Sequence, residues 1–414
     1  MGNRAGNLAV VAIAIIPIVM TLGNSMLVPV LPEMKKALEL TSFQVSLTIT
    51  VFSFAAALFI PIFGFVSDHM RRKWVIIPAL ILYGLGGLIA GIVSARSNGS
   101  FYLILTGRVL QGIGAAGTGP VAMALTGDLF KGAKQSRVLG IYEATNGSGK
   151  VFSPILGTLF ALIAWYWVFL AFPAFCLVAI LCMLFFIREE KEKKKGLSFK
   201  KYVRELGTVF RVEGRWLIVA YLTGMICLFT LFGVEFFLSN VLEDVYQIFS
   251  IKKGFILAIP ISIMSIVSYI TGRQIGKNKV RMKRLILFGL NLLTFSYLAL
   301  IFFEQVIVFL SILCIGSIGT GLVLPCLNSF ITGSVEEEKR GFVTALYGSV
   351  RFVGVALGPP IFSRLMEWSR TGMFVVAASI AFLAGICVLI FFRVKAMHKG
   401  GKEVDTLFKP LKMT

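Results

Sequence analysis

Histidine is nearly absent from this chain: two in 414 residues, His69 and His398, too few and too far apart for a histidine-centred catalytic or metal site. Its six cysteines (Cys176, Cys182, Cys227, Cys314, Cys326, Cys387) fall inside apolar stretches with no CxxC spacing, which argues against a disulfide frame and a thiolate metal site. Charge is scarce as well, at 15% Asp, Glu, Lys and Arg against about a quarter in soluble domains. Acids are the scarcer sign, 20 against 41 Lys and Arg. Nor is there a sizeable polar domain. An enzyme or a receptor with a soluble sensing part is therefore disfavoured, and no catalytic residue, metal or cofactor is expected.

What fills the chain is hydrocarbon: 57% hydrophobic residues and a mean hydropathy of +0.87. Apolar runs long enough to cross about 30 Å of lipid as helices recur near 8–31, 42–66, 74–95, 101–127, 138–162, 165–187, 216–240, 253–272, 283–303, 306–330, 341–363 and 372–393. The first run is long and has no small-residue cleavage site behind a short core, so it reads as a span rather than a signal peptide. The formal charge of +21 sits in the short gaps between runs, mostly on the side that holds both ends of the chain. The positive-inside rule then places both termini in the cytoplasm, and nucleic-acid binding is disfavoured. The expected fold is an all-α membrane protein of twelve transmembrane helices.

The longest polar interval, Arg188 to Arg215, divides six runs from six. The expected units are a bundle over 1–187, a cytoplasmic linker over 188–215 held at anionic headgroups, a second bundle over 216–393 and a tail over 394–414. The halves echo each other. GIGAAGTGP (112–120) in span four answers GSIGTGLVLP (316–325) in span ten, and GKVFSP (149–154) in span five answers GVALGP (354–359) in span eleven. GFVSDHMRRK (64–73) after span two answers GRQIGKNKVRMKR (272–284) after span eight. Pseudo-symmetric halves mark a transporter built from repeats. Glycine with proline lets helices approach closely and bend, so Gly140, Gly149, Ser153, Pro154 and Gly157, with Gly354, Gly358 and Pro359, are expected to line moving seams.

In these motifs the sequence resembles the major facilitator superfamily, and within it the drug:proton antiporters with twelve spans. Gly64, Asp68, Arg71, Arg72 and Lys73 are similar to the family's loop between spans two and three. Leu105-Thr-Gly-Arg108 with Gln111, Gly112 and Gly114 resembles its fourth-span motif. Gly149, Ser153-Pro154 and Gly157-Thr158 keep the spacing of its exporter signature, with Ser153 and Thr158 where glycine is usual. Asn24 stands in a first-span region where some relatives carry an acid. The resemblance implies the major facilitator fold, a proton gradient as the energy source in place of any cofactor, and a part for Arg108 in proton coupling. By topology, Asp68 and Asp128 face Arg71, Arg72, Lys73 and Arg340, a set able to latch one end shut through charge-assisted bonds.

Five ionisable residues fall away from the span ends: Arg108, Glu143, Lys150, Glu235 and Arg351. Charges at that depth are costly and mark pathways. At helical spacing Glu143, Asn146, Gly149, Lys150, Ser153 and Gly157 share one face. Lys150 lies at midspan, out of reach of either headgroup layer, so it points into protein or an aqueous cavity; Glu235 and a substrate's anion are its two candidate partners. A desolvated glutamate can exchange its proton near neutral pH and an arginine cannot, which makes Glu143 and Glu235 the expected proton carriers. Asn24, Met26, Phe52, Tyr142, Asn146, Lys150, Phe152, Phe232, Phe236, Tyr347 and Arg351 are the expected cavity wall.

The function expected from these residues is export of lipophilic or amphiphilic small molecules in exchange for protons, a multidrug efflux pump of the cell membrane acting as a single copy among membrane lipids. The alternative is an exporter dedicated to one endogenous metabolite, siderophore or lipid. Uptake by symport is disfavoured by the exporter signature.

Overall fold

A computed structural model of the chain describes residues 3–96, 100–189, 199–276, 278–334, 337–392, 395–397 and 403–405. The first crossing is α1 (Asn3–Ser25), a 3-10 turn (Val28–Val30) with Pro29 as its second residue, and α2 (Leu31–Ala37). Then follow α3 (Ser42–His69), α4 (Lys73–Ser94), α5 (Phe101–Ala116), α6 (Gly119–Leu129), α7 (Gly132–Ala161) and α8 (Trp167–Phe186). The second half holds α9 (Phe199–Asp244), α10 (Ser250–Ile275), α11 (Lys279–Ala299), α12 (Val306–Ser334), α13 (Glu337–Trp368) and α14 (Arg370–Phe391). A short antiparallel pair, β1 (Lys395–Met397) and β2 (Glu403–Asp405), comes after them.

These elements make twelve crossings, which bring the chain back to the end where it began, the terminal end; the other is the far end. Among the described residues nine helical stretches are long and apolar enough to span lipid by themselves. The other three crossings are α5 with α6, α7 and α11. Fourth in order, α5 and α6 are parted at Gly117 and Thr118, with Pro120 opening the new helix. α7 is diluted by Glu143, Asn146 and Lys150, and α11 starts with Lys279, Arg281, Lys283 and Arg284. Helix starts follow side-chain chemistry: Thr41 and Gln44 form a capping box on α3, and Asn278 and Ser369 cap α11 and α14. α9 runs unbroken from Phe199, within the expected linker, into span seven.

Glycines set the closest approaches, and they do so in matching places. A methyl group on Gly86 would lie 2.5 Å from the carbonyl oxygen of Gly107, and one on Gly107 would lie 2.6 Å from that of Gly86, which joins α4 to α5. Gly289 and Gly319 repeat the pair between α11 and α12, at 2.6 and 2.5 Å. The seam glycines pair up likewise. Gly149 and Gly157 press on Ile18 and Thr21 of α1 and on Met26 just past its end, while Gly354 and Gly358 press on Met225 and Phe229 of α9. These seams lie inside each half. Gly140 differs from the expectation: it is exposed, with open space where a side chain would go, because α7 has no neighbour there.

Contact between the halves runs along α3 with α13 and α7 with α10. Thr50 donates to the Ala356 carbonyl at 2.7 Å and Ser349 to that of Ala57 at 2.5 Å. A side chain on Gly254 of α10 would collide with Thr158 and with the Pro154 carbonyl of α7.

Candidate functional site

Near midspan, α7 presents Lys150, α9 presents Glu235 and α13 presents Arg351. Lys150 interacts electrostatically with Arg351, Glu143 and Glu235, yet among the described residues none of these four side chains has a hydrogen bond or ion pair. Of the four, Glu235 is buried, Lys150 and Arg351 are half-buried and Glu143 is exposed. Buried polar groups are almost always partnered in folded proteins, so unpartnered ones here are informative. Arg351 lies with its guanidinium 5.3 Å from the Tyr347 ring, while its Nε and the Tyr347 hydroxyl are both buried without partners. The Ser265 hydroxyl, facing Gly147 across the α7–α10 contact, is a third such group. Unpartnered groups gathered at this depth call for water or a polar ligand.

Glu235 is 7% exposed and borders a cavity of about 30 Å³ inside the second half, with Pro260, Tyr297, Ser317 and Thr320 around it. That volume admits one or two waters. Glu143 is exposed and lies two turns along α7 towards the terminal end. Asn146 and Phe232 are half-buried near the cluster's level.

Arg108, expected in proton coupling, and several of the expected wall residues are elsewhere. Arg108 is 0% exposed, and each of its three nitrogens is engaged: Nε on the Thr48 carbonyl at 2.9 Å, one terminal nitrogen on Gln111 at 2.7 Å and the other on Asn24 at 2.6 Å. Asn24 donates in turn to Ser53 at 2.6 Å, so its amide is committed to Arg108 rather than to a cavity. Phe52 lies under the guanidinium at 4.3 Å. Met26 and Phe236 are enclosed by packing at 0% and 1% exposure, and Tyr142 donates to the Gly119 carbonyl at 2.9 Å. Phe152 turns outward, 58% exposed, where lipid would solvate it.

The latch residues gather at the terminal end of the first half. Arg72 binds Asp128 at 2.6 Å and Asp68 at 3.3 Å, and Ser67, which also bonds the Gly64 carbonyl, receives a third bond. The backbone N–H groups of Arg72 and Lys73 both donate to Glu189, so that this carboxylate, from beyond α8, caps α4. Lys73 returns the favour by donating to the Leu184 and Ile187 carbonyls at the end of α8. Arg71 is half-buried beside them. The Arg340 side chain lies outside the described residues.

One ionic cluster at the far end escaped the sequence reading. Glu243, 2% exposed at the end of α9, binds Lys253 of α10 at 2.9 Å and reaches across to Lys36 of α2 at 2.7 Å. Lys253 is 1% exposed, and Glu33 completes an electrostatically neutral set of two acids and two lysines. An acid closing one span and a lysine opening the next were visible in sequence. The partner 207 residues away was not, since spacing along a chain carries no register between distant helices. Ser239 donating to the Val28 carbonyl at 2.8 Å and Arg364 over the Phe43 ring at 4.6 Å add to the ties between halves on that side.

Twelve crossings in two like halves with charged side chains at midspan define a membrane transporter rather than an enzyme. The chain belongs to the Major Facilitator Superfamily, whose sequence profile matches residues 13–359 and 279–411. It is 44% identical over 384 residues to the bacillibactin exporter of Bacillus subtilis (strain 168), covering 92% of this chain and 95% of that one. Multidrug resistance protein 2 of the same organism is 25% identical over 350 residues, covering 82% and 84%. Among solved structures, a bacterial homologue of the human lysosomal transporter Spinster, inward-facing and occupied, aligns with a TM-score of 0.72 at 17% identity over 94% of this chain and 97% of that one. The human organic anion transporter MFSD10 (TETRAN) aligns with a TM-score of 0.71 at 20% identity, over 92% and 99%.

Proposed function

We propose that this protein exports a siderophore, of the kind its bacillibactin-exporting relative handles, across the cell membrane, with both termini in the cytoplasm and one copy sufficient for transport. The observation that carries this is the 44% identity sustained over 95% of the bacillibactin exporter, against 25% over 84% of a multidrug relative. The cleft supports a dedicated cargo too. Promiscuous binders use adaptable apolar walls with few fixed polar groups, whereas Phe52, Met26 and Phe236 are sealed in packing and the cleft displays Lys150, Arg351 and Glu235. Export of many lipophilic drugs is thus the weaker reading.

Secretion in a Bacillus subtilis strain lacking its own bacillibactin exporter tests the proposal. Expression of this chain is expected to restore bacillibactin in the medium, with no gain in resistance to unrelated lipophilic dyes. Dye resistance without restored secretion would reinstate the multidrug reading.

A further inference from the structure

On the reading that this cleft holds the cargo, we infer that it binds a multiply charged organic anion together with a proton on Glu235, so that cargo and proton load in the same direction. Lys150 on one half and Arg351 on the other are basic groups within electrostatic range of each other, and neither has a hydrogen-bonded partner among the described residues. Two unsatisfied donors stand beside them, the Arg351 Nε and the Tyr347 hydroxyl, both buried. Like charges held close without a counter-ion are costly, and an anion with two acidic groups relieves both at once. Because one cation comes from each half, such a ligand is gripped only where the halves meet.

Glu235 is the internal competitor for Lys150. While ionised it offsets that lysine's charge, and an incoming anion must displace it; once protonated, it leaves both cations free. The charged and titratable groups around it are Lys150 from α7 and Tyr297 from α11, while Glu143 of α7 and Arg351 of α13 act on Lys150. α10 and α12 contribute uncharged neighbours to its surroundings: Leu257, Pro260, Ser317 and Thr320. The small cavity on its other side has room for the water that would deliver the proton. Anion binding therefore takes up a proton. The exchange of protons for cargo expected from the sequence needs the reverse, a proton and a cargo that exclude each other. A dianion leaving with one proton still carries a negative charge outward, and an inside-negative membrane potential favours that step.

Benzene-1,3-disulfonate, whose charge is constant with pH, is the probe. Its affinity for the purified full-length chain, measured by calorimetry between pH 6 and 8, is expected to weaken as pH rises, approaching about tenfold per unit for one linked proton. Glu235→Gln should flatten the profile and keep the tight value at pH 8, Glu143→Gln should keep the slope, and Lys150→Gln and Arg351→Gln should each lose at least about tenfold in affinity. Affinity that is flat or rises with pH in the native chain would overturn the inference, and that sign decides even if a Glu235 variant fails to fold. No binding, or binding indifferent to both cation substitutions, would remove the anion site itself. Bacillibactin secretion that fails while the disulfonate binds with this pH sign would sink the cargo proposal alone; secretion with the opposite pH sign would sink this inference alone.

Discussion

A guanidinium at 0% exposure whose hydrogen-bond partners are a carbonyl and two side-chain amides is an unusual way to spend an arginine. Arg108 keeps its charge under any physiological condition, and its planar fork sends separate nitrogens to Thr48 on α3, Asn24 on α1 and Gln111 on its own helix. A lysine there would keep the charge and lose the fork. Arg108→Lys cannot reproduce that fork and is expected to leave the Asn24 or Gln111 amide oxygen unsatisfied, at a cost of about 1–3 kcal/mol. The detergent-solubilised variant is expected to unfold at a lower temperature, with transport recovering when it is assayed well below that point. An unfolding midpoint equal to that of the native chain would show that the three bonds are dispensable. The depth of Arg108 was legible in the sequence, since an arginine amid glycines in an apolar run has nowhere else to go. Its bond to Asn24 was not, because 84 residues separate them and only the packed α1–α3–α5 corner brings the amide round.

Among helices, the same two halves are held differently at different depths. Gly86 with Gly107 and Gly289 with Gly319 weld neighbouring helices inside each half, since any side chain at those positions would meet backbone. Between the halves the far-end ties are polar and few, with Glu243 at their centre. Removing Glu243 would strand the buried Lys253, a loss of about 3–5 kcal/mol, and would confuse gating with folding. Lys36 is the cleaner lever: its side chain is 59% exposed, so losing its ion pair costs only about 0–1 kcal/mol of stability. Lys36→Met is therefore expected to leave the fold intact and to loosen the far end. A lone cysteine replacing Ser239, which is 0% exposed against Val28, in a background without the six native cysteines, should then react with a maleimide several-fold faster. An unchanged labelling rate would mean that Lys36 and Glu243 do not hold the halves together.

Over the whole molecule, lipid made the crossings readable: about 20 apolar residues are needed to pass the hydrocarbon, and each helix must satisfy its own backbone. The crossings that fall short by themselves, α5 with α6, α7 and α11, bring glycine, charge and amide into the interior, and α7 supplies Lys150 to the cleft. Which charges meet at midspan was partly legible, through the depth of Lys150 and Arg351; which aromatics line the space was not, because lipid-facing and packed phenylalanines look alike in a chain with 37 of them. The described ties between halves run from midspan to the far end, from Ser349 and Thr50 through Ser239 to Lys36. With that side fastened, Glu143, exposed on α7 towards the terminal end, is reached from the terminal side. On the proposal that both termini are cytoplasmic, the terminal side is the one facing the cytoplasm. A lone cysteine at position 143 is then expected to be modified by a membrane-impermeant maleimide in inside-out vesicles and spared in right-side-out ones, with cargo slowing the reaction. Labelling from the outer face alone would invert the topology, and equal labelling from both would mean that the far end is not closed at rest.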